Sequence, residues 1–217
     1  EVAGVSNNPS LIIPRRATPV TVDGKVKADE WATAVQTTGL VAIEKKQYAP
    51  AQTAVRALYD DEALYLAFDS ALPEKVKKDY AMTAGMTGIL RQTRDRFDTD
   101  VDGDDAVEIN VMPQWPADSS YPVGMWHRLV VNGLNTHYDY TMSDKNIISL
   151  DWNPQWDSAS SLDANGWHVE VRLPFSSFGV ATPKPGERWG LNFIRIWQAL
   201  QSGREAWRVA PEGTPGY

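Results

Sequence analysis

The chain has 217 residues, of which 42% are hydrophobic and 23% charged, and these proportions are ordinary for a soluble globular domain with a core. No apolar run approaches the roughly 18 residues that a membrane-spanning helix requires, and the net charge of −7 has the wrong sign for a general nucleic-acid binder. Because there is no cysteine, disulfides, iron–sulfur sites and thiol nucleophiles are excluded.

The chain begins with a polar segment, residues 1–17, which contains two prolines and shows no periodicity. We expect it to lead into a single domain over residues 18–217. From Thr18 onward, short runs of alternating apolar and polar residues are separated by Gly, Pro, Asn and Asp. The first of them, TPVTVDG at 18–24, ends in an Asp-Gly pair that predicts a turn.

The alternating runs predict β-strands, because successive side chains of a strand point to opposite faces of its sheet. The clearest is GWHVEVRLP, in which Trp167 and Val169 point inward while Glu170 points outward. The other runs lie at 53–69, which reads as a hairpin, and at 106–113, 126–133, 136–142, 188–197 and 204–210. About ten short strands predict an all-β fold, an antiparallel β-sandwich.

One stretch breaks this pattern. Residues 73–97 predict a long insertion, part helical and part loop, and hold six Lys or Arg against three acidic residues. A basic loop on an acidic body could bind an acidic ligand, although charge runs are more often solvated surface.

A short segment rich in aspartate follows the insertion. Asp98, Asp100 and Asp102 precede Gly103, which matches the opening of a calcium loop with oxygen ligands at positions 1, 3 and 5. The twelfth position is Ile109 rather than glutamate, so an EF-hand is not predicted. Calcium in another geometry remains an expectation, and the alternative is a solvated acidic turn. The candidate ligands are Asp98, Asp100, Asp102 and Asp104.

Nine tryptophans are many for this length, and several of them fall near strand ends or in loops. A flat indole can pack against the apolar face of a pyranose ring, and charged side chains at the edge can bind its hydroxyls. In contrast, the chain has no nucleophile elbow, no HExxH motif and no P-loop. This inventory favours sugar binding over catalysis.

The order of the motifs resembles that of the family 9 carbohydrate-binding modules. The pieces that carry the resemblance are VDGKVKADEW, TAVRALYDDEALYLAF, DDAVEINV, HRLVVNG, GWHVEVRLPFSSFG and GERWGLNFIRIW, which together cover most of residues 18–207. The resemblance implies an antiparallel β-sandwich that binds saccharide without catalysis and holds structural calcium. It also implies a module tethered to a catalytic domain in a larger secreted, extracellular or periplasmic bacterial protein.

The resemblance implies that Glu108, in the D-x-V-E strand, contacts sugar hydroxyls and that Arg128, in the following strand, plays a similar part. The family sandwiches its sugar between two tryptophans, but Asp102 stands where the first would be, and the last eight residues contain none. The aromatic residues expected to take their place are Trp126, Trp197, Trp207 and Tyr217. The ligand is a poly- or oligosaccharide, and uronate or sulfate groups on it remain open.

Two other functions stay open. Related sandwich domains bind haem, and axial ligands could come from His127 or from methionines, namely Met82, Met86, Met125 and Met142. A colourless protein would exclude an electron-transfer role of that kind. A glycoside-cleaving enzyme built on Asp104, Asp105 and Glu108 is less favoured, because these carboxylates lie close together on one turn.

Overall fold

The computed structural model describes residues 10–72, 104–114, 124–163, 166–197 and 203–207. These ranges contain thirteen strands, all paired antiparallel in two sheets. The all-β sandwich predicted from the alternating runs is therefore confirmed. The predicted insertion, residues 73–97, lies outside the described residues. No membrane-spanning helix occurs in the part of the chain that the structure describes.

The smaller sheet has five strands in the order β1-β4-β5-β11-β10. Their bounds are β1 Val35–Thr37, β4 Thr53–Tyr59, β5 Ala63–Ala71, β10 Asp157–Leu162 and β11 Gly166–Pro174. The hairpin predicted over 53–69 is β4 and β5. Its turn is fixed by Asp60, whose carboxylate accepts the backbone N–H groups of Glu62 and Ala63, each at 2.8 Å.

The larger sheet has eight strands in the order β3-β2-β13-β12-β6-β7-β8-β9. Their bounds are β2 Val41–Ala42, β3 Gln47–Tyr48, β6 Ala106–Met112, β7 Trp126–Asn132, β8 His137–Met142, β9 Ile148–Ser149, β12 Gly190–Trp197 and β13 Gly203–Ala206. Its central strands β6, β7 and β8 follow one another along the chain, and β12, from a later part of the chain, pairs with β6.

The main core lies between the inner faces of the two sheets. The small sheet contributes Leu66 and Phe68, and the large sheet contributes Ile109 and Phe193, all fully buried. Their alternation along each strand is the one that the sequence predicts. Two further apolar clusters cover the outer faces of the sheets, so that each sheet has buried side chains on both sides.

The outer face of the small sheet differs from the sequence expectation. Glu170 is fully buried on that face, although its place in the alternating run predicts solvent exposure. It accepts hydrogen bonds from the backbone of Asp23 and Gly24 at 3.0 and 2.9 Å and from the Trp31 indole at 2.8 Å. The segment around the predicted Asp-Gly turn therefore covers this face, and burial raises the pKa of Glu170.

Candidate carbohydrate-binding site

The outer face of the large sheet carries a cluster of charged side chains. Glu108 on β6 and Arg128 on β7 point to this face, since Val107 and Leu129 beside them point into the core. Arg204 on β13 joins them from the far side of β12. We call Glu108, Arg128 and Arg204 the charged cluster.

The carboxylate of Glu108 is the centre of the charged cluster. Its Oε1 atom accepts a hydrogen bond from the Asn110 amide at 2.9 Å and lies 3.5 Å from Nη1 of Arg128. Its Oε2 atom accepts a hydrogen bond from the guanidinium of Arg204. Both oxygens are therefore occupied by donors, and two positive charges face one negative charge.

Tyrosines of β8 lie next to Arg128 on the same face. Arg128 donates to the hydroxyl of Tyr140 at 3.1 Å, and its guanidinium carbon lies 5.7 Å from the centroid of the same ring. The ring of Tyr138 is 5.1 Å from that of Tyr140. Aromatic rings beside directed guanidinium groups are suited to a sugar, which presents both an apolar face and hydroxyls.

The members of the charged cluster differ in their access to solvent. The side chain of Glu108 is only 1% exposed and that of Arg128 is 11% exposed, whereas Arg204 is 38% exposed. A ligand arriving from solvent would therefore meet Arg204 first. Glu108 fixes the positions of the two guanidinium groups from below.

The structure brings some of the predicted aromatic residues to this face and not others. Trp126 lies on the face of Arg128, two residues away along β7, and is buried. Trp197 is fully buried on the opposite, inner face, where its indole donates to Glu205 at 3.0 Å. Trp207 is also on the inner side and packs against Phe193 with ring centroids 5.4 Å apart. Tyr217 lies outside the described residues.

The calcium prediction falls mostly on residues outside the described ranges, namely Asp98, Asp100 and Asp102. Asp104 is described, is buried, and accepts a hydrogen bond from the Asn132 amide at 2.8 Å. Within the described ranges, no group of three or more His, Asp or Glu side chains is placed to hold a metal ion. Calcium binding stays a prediction.

Of the residues considered for haem ligation, His127 and Met142 lie on opposite faces of the large sheet, and Met125 is exposed just before β7. His127 points inward, where its ring packs against Trp152 at 4.7 Å and Phe178 at 5.3 Å, and burial lowers its pKa. Met142 belongs to the cluster on the outer face. These two side chains therefore cannot ligate one haem from opposite sides. Met82 and Met86 lie outside the described residues.

Sequence reasoning missed Arg204, Asn110 and Tyr140. The alternation in the sequence REAW does place Arg204 on the face opposite Glu205, so the sequence could have predicted the face on which the Arg204 side chain lies. Its proximity to Glu108 was not, because it depends on β13 and β6 flanking the same strand, β12.

Residues 22–212 match the family described as "Carbohydrate family 9 binding domain-like". The chain belongs to this family. The resemblance inferred from the six sequence motifs is thus confirmed. No curated protein sequence matches the chain.

Solved structures of family 9 modules share the fold. A family 9 module from Caldicellulosiruptor kristjanssonii, solved with cellotriose, is 18% identical, with a TM-score of 0.51 and coverage of 89% of this chain and 80% of the other. The structure of such a module from the same organism with glucose gives 18% identity, a TM-score of 0.52 and coverage of 89% and 82%. A candidate carbohydrate-binding protein from Bacteroides uniformis ATCC 8492 gives 13% identity, a TM-score of 0.65 and coverage of 92% and 90%.

Proposed function

We propose that this family 9 domain is a non-catalytic module that binds poly- or oligosaccharide at the outer face of the large sheet. The observation that carries the proposal is the charged cluster, in which Glu108 holds both Arg128 and Arg204 and Arg128 lies beside the Tyr140 ring. The C. kristjanssonii module solved with cellotriose supports a glucan as the first ligand to test.

In the proposed mechanism, the charged and the aromatic residues have different roles in binding. Arg204 and Arg128 donate directed hydrogen bonds to sugar hydroxyls, and charge-assisted bonds of this kind are stronger than neutral ones. Tyr140, with Tyr138 packed against it, places an aromatic ring beside Arg128, and 9% of each tyrosine is exposed to solvent. Glu108 orients both guanidinium groups. None of these roles requires a bond in the saccharide to break.

Several features of the wider protein are part of the same proposal and rest on the family alone. The module would belong to a larger secreted or periplasmic glycan-degrading protein of a bacterium, and it would hold structural calcium. A ligand with uronate or sulfate groups remains compatible with the two guanidinium groups of the charged cluster.

Calorimetric titration with cellotriose tests the site. We expect Arg204→Ala and Arg128→Ala each to weaken binding by about 10-fold to 100-fold, because each removes a charge-assisted hydrogen bond. Arg56→Ala is the matched control, since Arg56 forms an ion pair with Asp69 at 3.3 Å on the other sheet. It should leave the affinity unchanged.

Two results would contradict this site. One is an equal loss of affinity in the Arg56 control, and the other is unchanged binding in both cluster variants. If wild-type protein does not bind cellotriose, an array of neutral, uronate-containing and sulfated glycans decides whether the domain binds saccharide at all. Thermal unfolding before and after chelation with EDTA tests the calcium prediction, and we expect a lower thermal midpoint without calcium.

A further inference from the structure

A pocket of about 550 Å³ lies at one end of the sandwich, on the other side of the large sheet from the charged cluster. Its walls come from the ends of the strands, represented by Tyr59, Leu64 and Leu191, and from two connecting segments, residues 10–13 and 183–189. This volume is in the range of small-molecule sites, about 300–1,000 Å³.

One wall is a rigid aromatic surface. The ring of Trp189 stands edge-on to that of Phe175, with centroids 5.7 Å apart, and Phe175 in turn contacts Tyr59 at 6.5 Å. The indole N–H of Trp189 donates to Glu187 at 3.0 Å, which fixes the orientation of the ring. The Trp189 ring is therefore held by contacts with Phe175 and Glu187.

The N-terminal segment also lines the pocket. Its end is attached to β4, because the backbone N–H of Tyr59 donates to the carbonyl of Pro14 at 3.1 Å and that of Arg16 donates to the carbonyl of Tyr59 at 2.7 Å. Leu11 and Ile13 pack against the main core, while Ile12 between them is 92% exposed. This wall offers aliphatic side chains to a ligand.

The apolar interior argues against a sugar as the ligand of this pocket. A pyranose carries hydroxyls around its whole ring, and each would need a hydrogen-bond partner once it left water. Leu64, Phe175 and Leu191 offer none. An apolar or aromatic ring satisfies the interior without that cost.

The rim of the pocket is cationic. Glu187 is already occupied, since one carboxylate oxygen accepts the Trp189 indole and the other accepts the Lys184 backbone N–H at 3.2 Å. The exposed side chains of Lys184 and Arg188 have no carboxylate partner among the residues that the structure describes. Two available cations at the mouth of an apolar pocket complement one negative charge on a ligand.

We propose that this pocket binds a small aromatic carboxylate, with the ring between the Trp189 wall and the N-terminal segment and the carboxylate at Lys184 and Arg188. The site is separate from the saccharide site. It would let the domain bind an aromatic acid and a saccharide at the same time.

Calorimetric titration of the full chain with trans-cinnamate tests the proposal. We expect saturable binding of cinnamate. The neutral cinnamyl alcohol should bind at least tenfold more weakly, because a charge-assisted interaction is lost. Glucuronate should not bind at this pocket. In NMR spectra, cinnamate should shift the indole N–H signals of Trp189 and Trp207 and leave that of Trp31 unchanged, because Trp31 lies in a different apolar cluster.

The double variant Lys184→Gln/Arg188→Gln should weaken cinnamate binding about tenfold or more, and both side chains are exposed, so that the fold is retained. Lys145→Gln, at an exposed turn, is the matched control. No saturable binding of cinnamate, equal affinity for the alcohol, or an unchanged double variant would each overturn the proposal. Cellotriose binding should be the same in all these variants, so this site can fail while the saccharide site holds.

Discussion

Arg195 is the most unusual single residue of the domain. It is fully buried on the inner face of β12, between the rings of Trp167 and Trp197, whose centroids lie 4.1 and 3.6 Å from the guanidinium carbon. Its three guanidinium nitrogens have no hydrogen-bond partner among the residues that the structure describes, and burial lowers its pKa to about 9. The two indole faces and the negative charges of Asp105 and Glu205 offset part of the cost of burying this cation.

Glu205 makes the stability of the domain depend on pH. Burial raises its pKa to about 7, against the lowering effects of the Trp197 indole and Arg195. The folded state therefore holds a proton that the unfolded state has released, and the stability that this proton supplies is complete below about pH 4.5 and is lost as the pH rises toward 7.

We expect the free energy of unfolding of the wild type, relative to that of Glu205→Gln, to fall between pH 4.5 and 7 and to level off above it. Urea unfolding at a series of pH values measures this difference. A difference that is constant across the range, or that rises with pH, would contradict the raised pKa.

Among the elements, β11 shows why a small residue is required at a strand end. It pairs with β5 over nine residues, from Gly166 opposite Ala71 to Pro174 opposite Ala63. A Cβ atom at Gly166 would lie 2.3 Å from the carbonyl oxygen of Ser70. Because this neighbour is backbone, a side chain at Gly166 would have to push the two strands apart.

Gly166→Ala should therefore lower the free energy of unfolding by about 2–3 kcal/mol, the upper part of the range for overpacking of a buried site. Gly179→Ala is the matched control, because no heavy atom of the described residues lies within 4 Å of such a Cβ and the φ of 68° is what opposes the change. The control should cost about 1–2 kcal/mol. Chemical denaturation compares the two, and a larger loss in the control would contradict the steric argument.

At the scale of the whole molecule, the two sheets are joined by their facing aromatic side chains. Phe193 of the large sheet contacts Phe68 of the small sheet edge-on, with centroids 5.9 Å apart, and also packs against Trp207. Both phenylalanines are almost completely buried. The layers therefore depend on this contact and should unfold together.

Phe193→Ala should destabilise the domain by about 3–5 kcal/mol, because it removes a buried ring and leaves a cavity between the sheets. Ile12→Ala removes an aliphatic group that is already in solvent and should change stability by less than about 0.5 kcal/mol. Thermal unfolding monitored by tryptophan fluorescence and by circular dichroism checks both values. Separate transitions for the two probes would contradict joint unfolding of the layers.

The sequence by itself determined the strands and the faces of most of their residues. The alternation of Val107, Ile109 and Val111 with Glu108 and Asn110 is a local property of the chain, and the structure keeps it. The order of the six motifs also indicated the family, although none of them is specific alone.

Only the tertiary structure decided what lies against each face, because strand order and the path of the connecting segments bring together residues far apart in the chain. Glu108 meets Arg204 since β12 lies between their strands, and Glu170 is buried since residues 20–31 cover the small sheet. The sequence analysis made no prediction for Arg195, and the register of β12 places its side chain in the core. A period of two residues fixes the side of a sheet, and it carries no information about which side meets water.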